Sequence, residues 1–304
     1  MVLRKAGWAT AAMAWVVTGA AVFSGGCETN PATGRSQFIV MSRATEIQTG
    51  TELKPQLTQE YGGELSDAVA QAYLTEVGSA MAATTEGDFP SLPWEFTLLD
   101  SDVINAFALP GGKVFISRGL VSRMADEAQM AGVIGHEIGH VTARHVNDRM
   151  LSVGLTQFGQ TIVDAALAGR ADAIRQVGTA VYGLGGQGVI TGFSRGQELE
   201  SDALGIRYMT NVGYDPVAQR EVMEILAQAS AGPRQVEFLS THPYPETRIR
   251  RIDELLATEY AGATAGERHR ERFEDRMLNR IGRSADRRGV MHWCGTCRMI
   301  ASAD

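Results

Sequence analysis

The residues best suited to chemistry lie in one short segment with the spacing of metal ligands. Residues 136–140 read HEIGH. His136 and His140 are four residues apart and lie on one face of a helix, so both imidazoles can bind one metal ion. Glu137 can then take a proton from a metal-bound water. The preceding residues 131–135 are apolar and indicate a buried helix, where histidines need polar partners. The spacing predicts a zinc site for hydrolysis.

A catalytic zinc ion takes three protein ligands, and the third must be found elsewhere. His145 follows His140 by five residues with no glycine between them, and we expect it to pack or hydrogen bond rather than to bind metal. Glu198 is the better candidate, because Asp202 lies four residues further on, on the same helical face. We expect Glu198 to bind the metal and Asp202 to accept the remaining N–H of His136.

Two further polar residues lie near these candidates. Glu200 lies between the two acids, and we expect it on a solvated helix face. His242 lies just before a helix start at Pro245, so a loop can carry it into the site. Three roles stay open for His242: an oxyanion stabiliser, a reversible fourth zinc ligand that closes the site, or a buried structural histidine.

The elements that must position these residues are mostly helices. Hydrophobic spacing and caps predict helices within 44–84, over 126–149, over 196–211 and from 245 to about 260. Short strands are predicted over 94–99, 103–109 and 113–116, with a Pro-Gly-Gly turn between the last two. Residues 151–193 are rich in glycine and alanine and stay unassigned. The expected fold class is α+β, with a small antiparallel sheet or hairpin beside the zinc helix.

The N-terminus has the layout of a secretory signal peptide over residues 1–26, with an apolar run over 6–23. Cys27 follows small residues, as in a bacterial lipobox, and is the expected lipidation site. Ser24 replaces the usual leucine, so an ordinary signal peptide with an incidental cysteine stays as an alternative. Glu28 differs from the aspartate that retains lipoproteins in the inner membrane. We therefore expect a lipid-anchored protein on the periplasmic face, at the outer membrane.

Composition and cysteine count disfavour two classes of protein. The chain has 304 residues, a net charge of −7 and three cysteines, which disfavours nucleic-acid binding and a disulfide-built scaffold. We expect a metallopeptidase domain over 28–260 and an Arg-rich, flexible tail over 261–304. Cys294 and Cys297 in that tail are read as a structural disulfide or part of a disordered segment, with a redox role as the competing hypothesis.

Taken in order, these motifs resemble the HtpX-like and CAAX-prenyl-protease family of zinc metallopeptidases, which are gluzincins. The similar branch contains periplasmic lipoproteins of outer-membrane quality control. The resemblance covers roughly residues 29–255. It includes NPATGR at 30–35, NAFALPGG at 105–112, the zinc helix, and the segments around Glu198 and His242.

The resemblance implies a zincin-type fold and one zinc ion per chain. The implied zinc ligands are His136, His140 and Glu198. Glu137 would be the general base, Asn105 would hold substrate backbone, and His242 would contact zinc or substrate. The implied substrates are misfolded or unassembled envelope proteins, reached from a lipid-anchored position. The alternative function is a zinc-binding chaperone or assembly factor with latent or no proteolysis.

Overall fold

The computed structural model describes residues 27–153, 192–230, 236–261 and 266–286. The signal peptide, most of the unassigned segment 151–193 and the Cys294–Cys297 pair lie outside these ranges. The longer helices are α1 (Arg43–Glu60), α2 (Ala68–Ala82), α4 (Glu127–Thr142), α5 (His145–Val153), α6 (Arg195–Asn211), α7 (Val217–Ser230), α9 (Pro245–Thr258) and α11 (Asn279–Asp286). Short helices are α3 (Arg118–Val121), α8 (Phe238–Thr241) and α10 (Arg270–Phe273). The fold class is α+β and mostly helical, as the sequence predicts.

A three-stranded sheet lies beside α4, in the order β3 (Glu95–Leu99), β5 (Lys113–Ser117), β4 (Ala106–Leu109). The predicted hairpin joins β4 to β5, with both glycines of its turn in the left-handed region. β3 pairs with β5 in parallel, so the sheet is mixed rather than wholly antiparallel. Within the described part of the chain the strand partner of β4 is β5.

Helices α4 and α6 form the centre of the molecule and carry the HEIGH segment and the two acids. Each begins at a side-chain cap: Asp126 accepts from the Gln129 amide at 3.0 Å, and Ser194 forms a capping box with Gln197. Every residue of α4 is buried. Its apolar residues belong to the main hydrophobic core, and its buried polar residues therefore need partners on the surrounding elements.

The backbones of α4 and α6 touch at glycines. A Cβ atom on Gly139 would lie 2.8 Å from the carbonyl oxygen of Ser201, and one on Gly205 would lie 2.8 Å from the amide nitrogen of His136. Larger residues at these positions would hold the two helices apart. The glycines therefore set the separation between the histidines of α4 and the acids of α6.

The single helix predicted over 126–149 is wrong, because the chain forms two helices there. α4 ends at Thr142, Arg144 adopts a left-handed conformation (φ 57°), and α5 starts at His145. The N-terminal hairpin of β1 (Cys27–Thr29) and β2 (Ser36–Phe38) explains the break. Asn30 donates to the Thr142 carbonyl at 2.8 Å and Gln37 to the Ala143 carbonyl at 2.7 Å. These side chains satisfy carbonyls that a helix end leaves unpaired.

The first part of the C-terminal segment packs on the core. Its helices α10 and α11 flank a π-helical turn over Glu274–Leu278, and the side chains of Phe273 and Met277 are buried. Arg272 pairs with the buried Glu127 at the start of α4. Residues 287–304 lie outside the described ranges. Across the described ranges, no helix combines the length and the apolar character needed to cross a membrane.

The glycine contact gives a stability prediction. We expect Gly205→Ala to lower the free energy of unfolding by about 1–3 kcal/mol, because its Cβ would press on the backbone of α4. Gly196→Ala on the same helix is the matched control, since the nearest atom to its Cβ would be 4.0 Å away. Gly196→Ala should leave the free energy of unfolding unchanged or raise it by up to about 1 kcal/mol, because alanine favours the helix more than glycine does. Urea unfolding measures both, and equal effects would contradict the close-contact account.

Candidate metal centre

Three elements bring four candidate ligands to one point. His136 and His140 come from α4, Glu198 from the first turn of α6, and His242 from the residue after α8. One ligand atom from each lies within 4.8 Å of the others, and all four side chains are buried. The Nε2 atoms of His136 and His140 are 3.0 Å apart, and His242 Nδ1 is 3.2 Å from His136 Nε2.

The hydrogen bonds around His136 leave its Nε2 free to bind a metal. Its Nδ1 lies 3.0 Å from an Asp202 oxygen, and a carboxylate can only accept, so Nδ1 carries the proton. The Nε2 lone pair then faces two other imidazole nitrogens and the Glu198 carboxylate. Lone pairs that face one another in this way need a cation between them as a shared partner. Two or more imidazoles with a carboxylate are a ligand set that suits zinc.

Arg248 holds Glu198 and Asp202 of α6 in place. Its side chain is fully buried, and it donates two hydrogen bonds of 2.7 Å to Asp202. Its other terminal nitrogen lies 2.8 Å from Glu198 Oε2. Gln219 on α7 donates a further bond of 3.0 Å to Asp202. The carboxylate that orients His136 is thus itself fixed by two other elements, α7 and α9.

The electrostatic environment keeps the histidines of α4 in their neutral, metal-binding form. Burial, with the nearby Arg248 cation, lowers the pKa of His136 to about 4, and burial lowers that of His140 well below its usual range. Burial alone would raise the pKa of Asp202, but the ion pair with Arg248 lowers it to about 2. A metal must compete with protons for imidazole, so this environment favours metal binding.

Glu137 is a buried carboxylate beside the candidate ligands. Its Oε1 atom lies 3.5 Å from His242 Nε2 and has no hydrogen-bond partner among the residues the structure describes. Burial, with the Glu198 charge adding to it and His242 opposing it, raises the pKa of Glu137 to about 7. A carboxyl group with such a pKa can both take up and release a proton near neutral pH.

Asn105 lies one residue before β4 and lines a small cavity together with Glu137 and His242. The cavity has a volume of about 60 Å³, and Tyr61 and Phe107 form its apolar wall. The Asn105 amide nitrogen donates to the Tyr61 hydroxyl at 3.1 Å. Its Oδ1 atom is buried without a hydrogen-bond partner in the described ranges. The sequence-predicted substrate residue therefore faces the same space as Glu137.

Aromatic rings cover the candidate ligands. Phe193, just before α6, stacks on His140 with ring centroids 4.0 Å apart, and Phe238 stacks on His242 at 4.3 Å. The Phe193 amide also donates to the Thr241 carbonyl at 2.9 Å, which ties the start of α6 to the segment carrying His242. The residues next to either phenylalanine in the sequence show no metal-site pattern, so neither contact is predictable from the sequence.

Two other parts of the site differ from the sequence-based expectations. Glu200 is not a solvated side chain: its side chain is 23% exposed, and it accepts a hydrogen bond from His145 at 2.9 Å. His145 does hydrogen bond as expected, and its Nδ1 lies 2.9 Å from His140 Nδ1. The family resemblance implies a supporting or packing role for Arg248 outside catalysis, and the structure places it against Glu198 and Asp202. The signal available was its spacing, since Arg248 lies four residues before Ile252 and seven before Leu255, on the one face of this helix that is buried.

Comparison with known proteins agrees with this geometry. Residues 68–256 match the model of Peptidase family M48, a stretch that includes the HEIGH segment, both acids of α6, His242 and Arg248. The chain is 33% identical over 239 residues to the beta-barrel assembly-enhancing protease of Escherichia coli K12. It is 29% identical over 230 residues to the mitochondrial metalloendopeptidase OMA1 of Schizosaccharomyces pombe.

These matches cover much of this chain and a smaller part of the relatives. The Escherichia coli alignment covers 76% of this chain and 47% of that protein, and the yeast alignment covers 74% and 65%. The chain thus spans about half the length of the bacterial relative. The predicted metallopeptidase class is confirmed at the level of the family. The chain belongs to Peptidase family M48, a family of metallopeptidases.

Proposed function

We propose that this protein is a zinc-dependent endopeptidase that cleaves misfolded or unassembled proteins of the cell envelope. One observation carries the proposal: the metal-binding atoms of His136, His140 and Glu198 converge beside Glu137, a buried carboxylate with an unpaired oxygen. The family match and the protease names of the relatives support the reaction class. The proposed catalytic domain spans residues 28–260.

In this proposal His136, His140 and Glu198 hold one zinc ion. When bound, zinc would supply Lewis-acid chemistry and lower the pKa of a coordinated water. Glu137 takes the proton of the attacking water and later gives it to the leaving amine. Asp202 keeps the His136 proton on Nδ1, which would leave the Nε2 lone pair available to the metal.

The substrate backbone is proposed to lie beside the start of strand β4, where Asn105 and Glu137 line one cavity. Asn105, at the start of this strand, has a buried and unpaired Oδ1 atom that can accept a hydrogen bond from a substrate amide. Because Asn105 and Glu137 line one cavity, a peptide held here would pass beside the proposed general base.

His242 is the proposed fourth ligand of a closed resting state. Its Nδ1 atom lies 3.1 Å from Glu198 and 3.2 Å from His136, within the group of metal-binding atoms. Catalysis needs an open coordination position for water, so His242 would have to move away before turnover. After moving, it could stabilise the oxyanion of the transition state. Removing the His242 side chain should raise the rate of cleavage if it closes the site, and lower the rate if it stabilises the oxyanion.

The proposed location is the periplasmic face of the outer membrane. The support is the signal-peptide layout of residues 1–26, the cysteine at position 27 and the glutamate that follows it. Cys27 is exposed at the start of β1. A lipid on this residue would tether the enzyme through its N-terminal hairpin.

A second candidate function is that of a chaperone or assembly factor that retains zinc without cleaving. The observation that favours it is the closed site, in which His242 and the rings of Phe193 and Phe238 cover the ligands. The word "assembly" in the name of the Escherichia coli relative is consistent with it. Glu137 disfavours it, because a structural metal site needs no base.

The general-base assignment gives the first functional prediction. Glu137→Gln should keep about one zinc ion per chain, because Glu137 is not among the proposed ligands. Casein cleavage should fall by about 10²–10⁴-fold, since the amide cannot take the proton. Zinc content and casein cleavage are measured on residues 28–304 for both proteins. Equal cleavage by both would contradict the proposed mechanism. Zinc binding without cleavage by either would favour the second function.

The closed state gives a further prediction. His242→Ala should keep the zinc ion and raise the initial rate of casein cleavage, because the fourth coordination position becomes free for water. The rate is compared with wild type at equal zinc content. A lower rate with unchanged zinc would contradict closure by His242 and assign it to oxyanion stabilisation. Loss of zinc together with a lowered melting temperature would indicate a structural role.

A further inference from the structure

We propose that His145 and Glu200 form a positioning pair for His140, and that Arg35 of the N-terminal hairpin holds this pair in place. The inference rests on the proposed metal site, in which His140 is a ligand. The proposed contribution is to metal affinity, through the proton position on His140. None of the three residues touches the reacting atoms.

The hydrogen bonds assign each proton in this chain of groups. Glu200 can only accept, so His145 Nε2, at 2.9 Å from Glu200 Oε2, carries a proton. In neutral His145 the other nitrogen, Nδ1, is then an acceptor. It lies 2.9 Å from His140 Nδ1, which must donate. His140 is thereby held with its proton on Nδ1 and a lone pair on Nε2, the atom that faces the other candidate ligands.

The helix break makes this contact possible. Residues five apart in a continuous helix differ in direction by about 140° and face away from each other. Here Arg144 is left-handed and α5 starts anew, so the His145 ring packs against His140 with centroids 4.9 Å apart. His145 is fully buried, and both of its nitrogens are occupied by these two contacts.

Arg35 connects the pair to the N-terminal hairpin. Its guanidinium donates to both oxygens of Glu200, at 2.7 and 2.8 Å, which is the bidentate geometry that arginine favours with carboxylates. It also lies 3.3 Å from Asp148 on α5. Since Asn30 and Gln37 bind the end of α4, the same hairpin contacts both α4 and the Glu200 carboxylate of α6.

The two histidines of α4 are thus supported in the same way. His136 donates to Asp202, which Arg248 holds. His140 donates to His145, which Glu200 and Arg35 hold. Both carboxylates belong to α6. This helix would therefore supply one metal ligand, Glu198, and the support for both of the others.

Zinc affinity of the full chain tests the inference, measured by competition with a chromophoric chelator. Glu200→Ala should weaken affinity by about 10–100-fold, as is typical when a partner of a ligand histidine is lost. Glu200→Gln should stay closer to wild type, because its amide oxygen still accepts from His145. The matched control is Asp253→Ala, which removes a comparable bond of 2.6 Å to Arg220 far from the site and should leave affinity unchanged.

Two outcomes would overturn the inference: equal affinities for Glu200→Ala and Asp253→Ala, or equal losses in the alanine and glutamine variants. If Glu200→Ala lowers the melting temperature of the metal-free protein, Arg35→Gln replaces it, because this side chain is 43% exposed. The expected loss of zinc affinity in Arg35→Gln is then smaller than the loss expected for a change in His145 or Glu200. Unchanged zinc affinity would contradict the role of the hairpin. Zinc binding by wild type without cleavage would refute the proposed peptidase and leave this test intact.

Discussion

The candidate site depends on the close backbone contact between α4 and α6. Gly135, Gly139 and Gly205 allow this contact, since a Cβ on any of them would fall within 3 Å of atoms in the opposite helix. Side chains that leave α4 and α6 near this contact bring their metal-binding atoms to a common point. The separation that brings Glu198 to the histidines is therefore set by residues with no side chain.

The same contact forces a large number of charged groups into the interior. Glu137, Glu198, Asp202 and Arg248 are all buried, and burying such groups costs several kcal/mol for each ion unless it is paired. The arginine offsets the charge of two acids, and a cation between the imidazoles and Glu198 would offset more. A purely structural core of this size would be stabilised more simply by apolar packing. The arrangement is understandable as one that serves metal binding.

Sequence alone located the parts of the site that depend on local helical spacing. Patterns of a few residues are enough to predict three features: the HEIGH segment, the four-residue spacing of Glu198 and Asp202, and the hairpin after Asn105. Sequence alone did not locate the end of α4, the ion pairs of Arg248 with Glu198 and Asp202, or the bond from Glu200 to His145. Each of these depends on partners far away in the chain, such as the N-terminal hairpin that binds the last carbonyls of α4. Strand β3 is predicted from the sequence as well. Its parallel pairing with β5 is not, because the chain forms β4 before β5 returns to lie beside β3.

The proposed metal ion would lie between α4 and α6, among the atoms of the candidate ligands. X-ray absorption at the zinc edge of the full, zinc-loaded chain distinguishes this site from the Cys-x-x-Cys pair of the tail. Zinc between α4 and α6 would give nitrogen and oxygen neighbours at about 2.0–2.1 Å with imidazole scattering, and this signal should be lost in His136→Ala. Sulfur neighbours at about 2.3 Å, unchanged in His136→Ala, would place the zinc at Cys294 and Cys297 and rule out binding between the two helices.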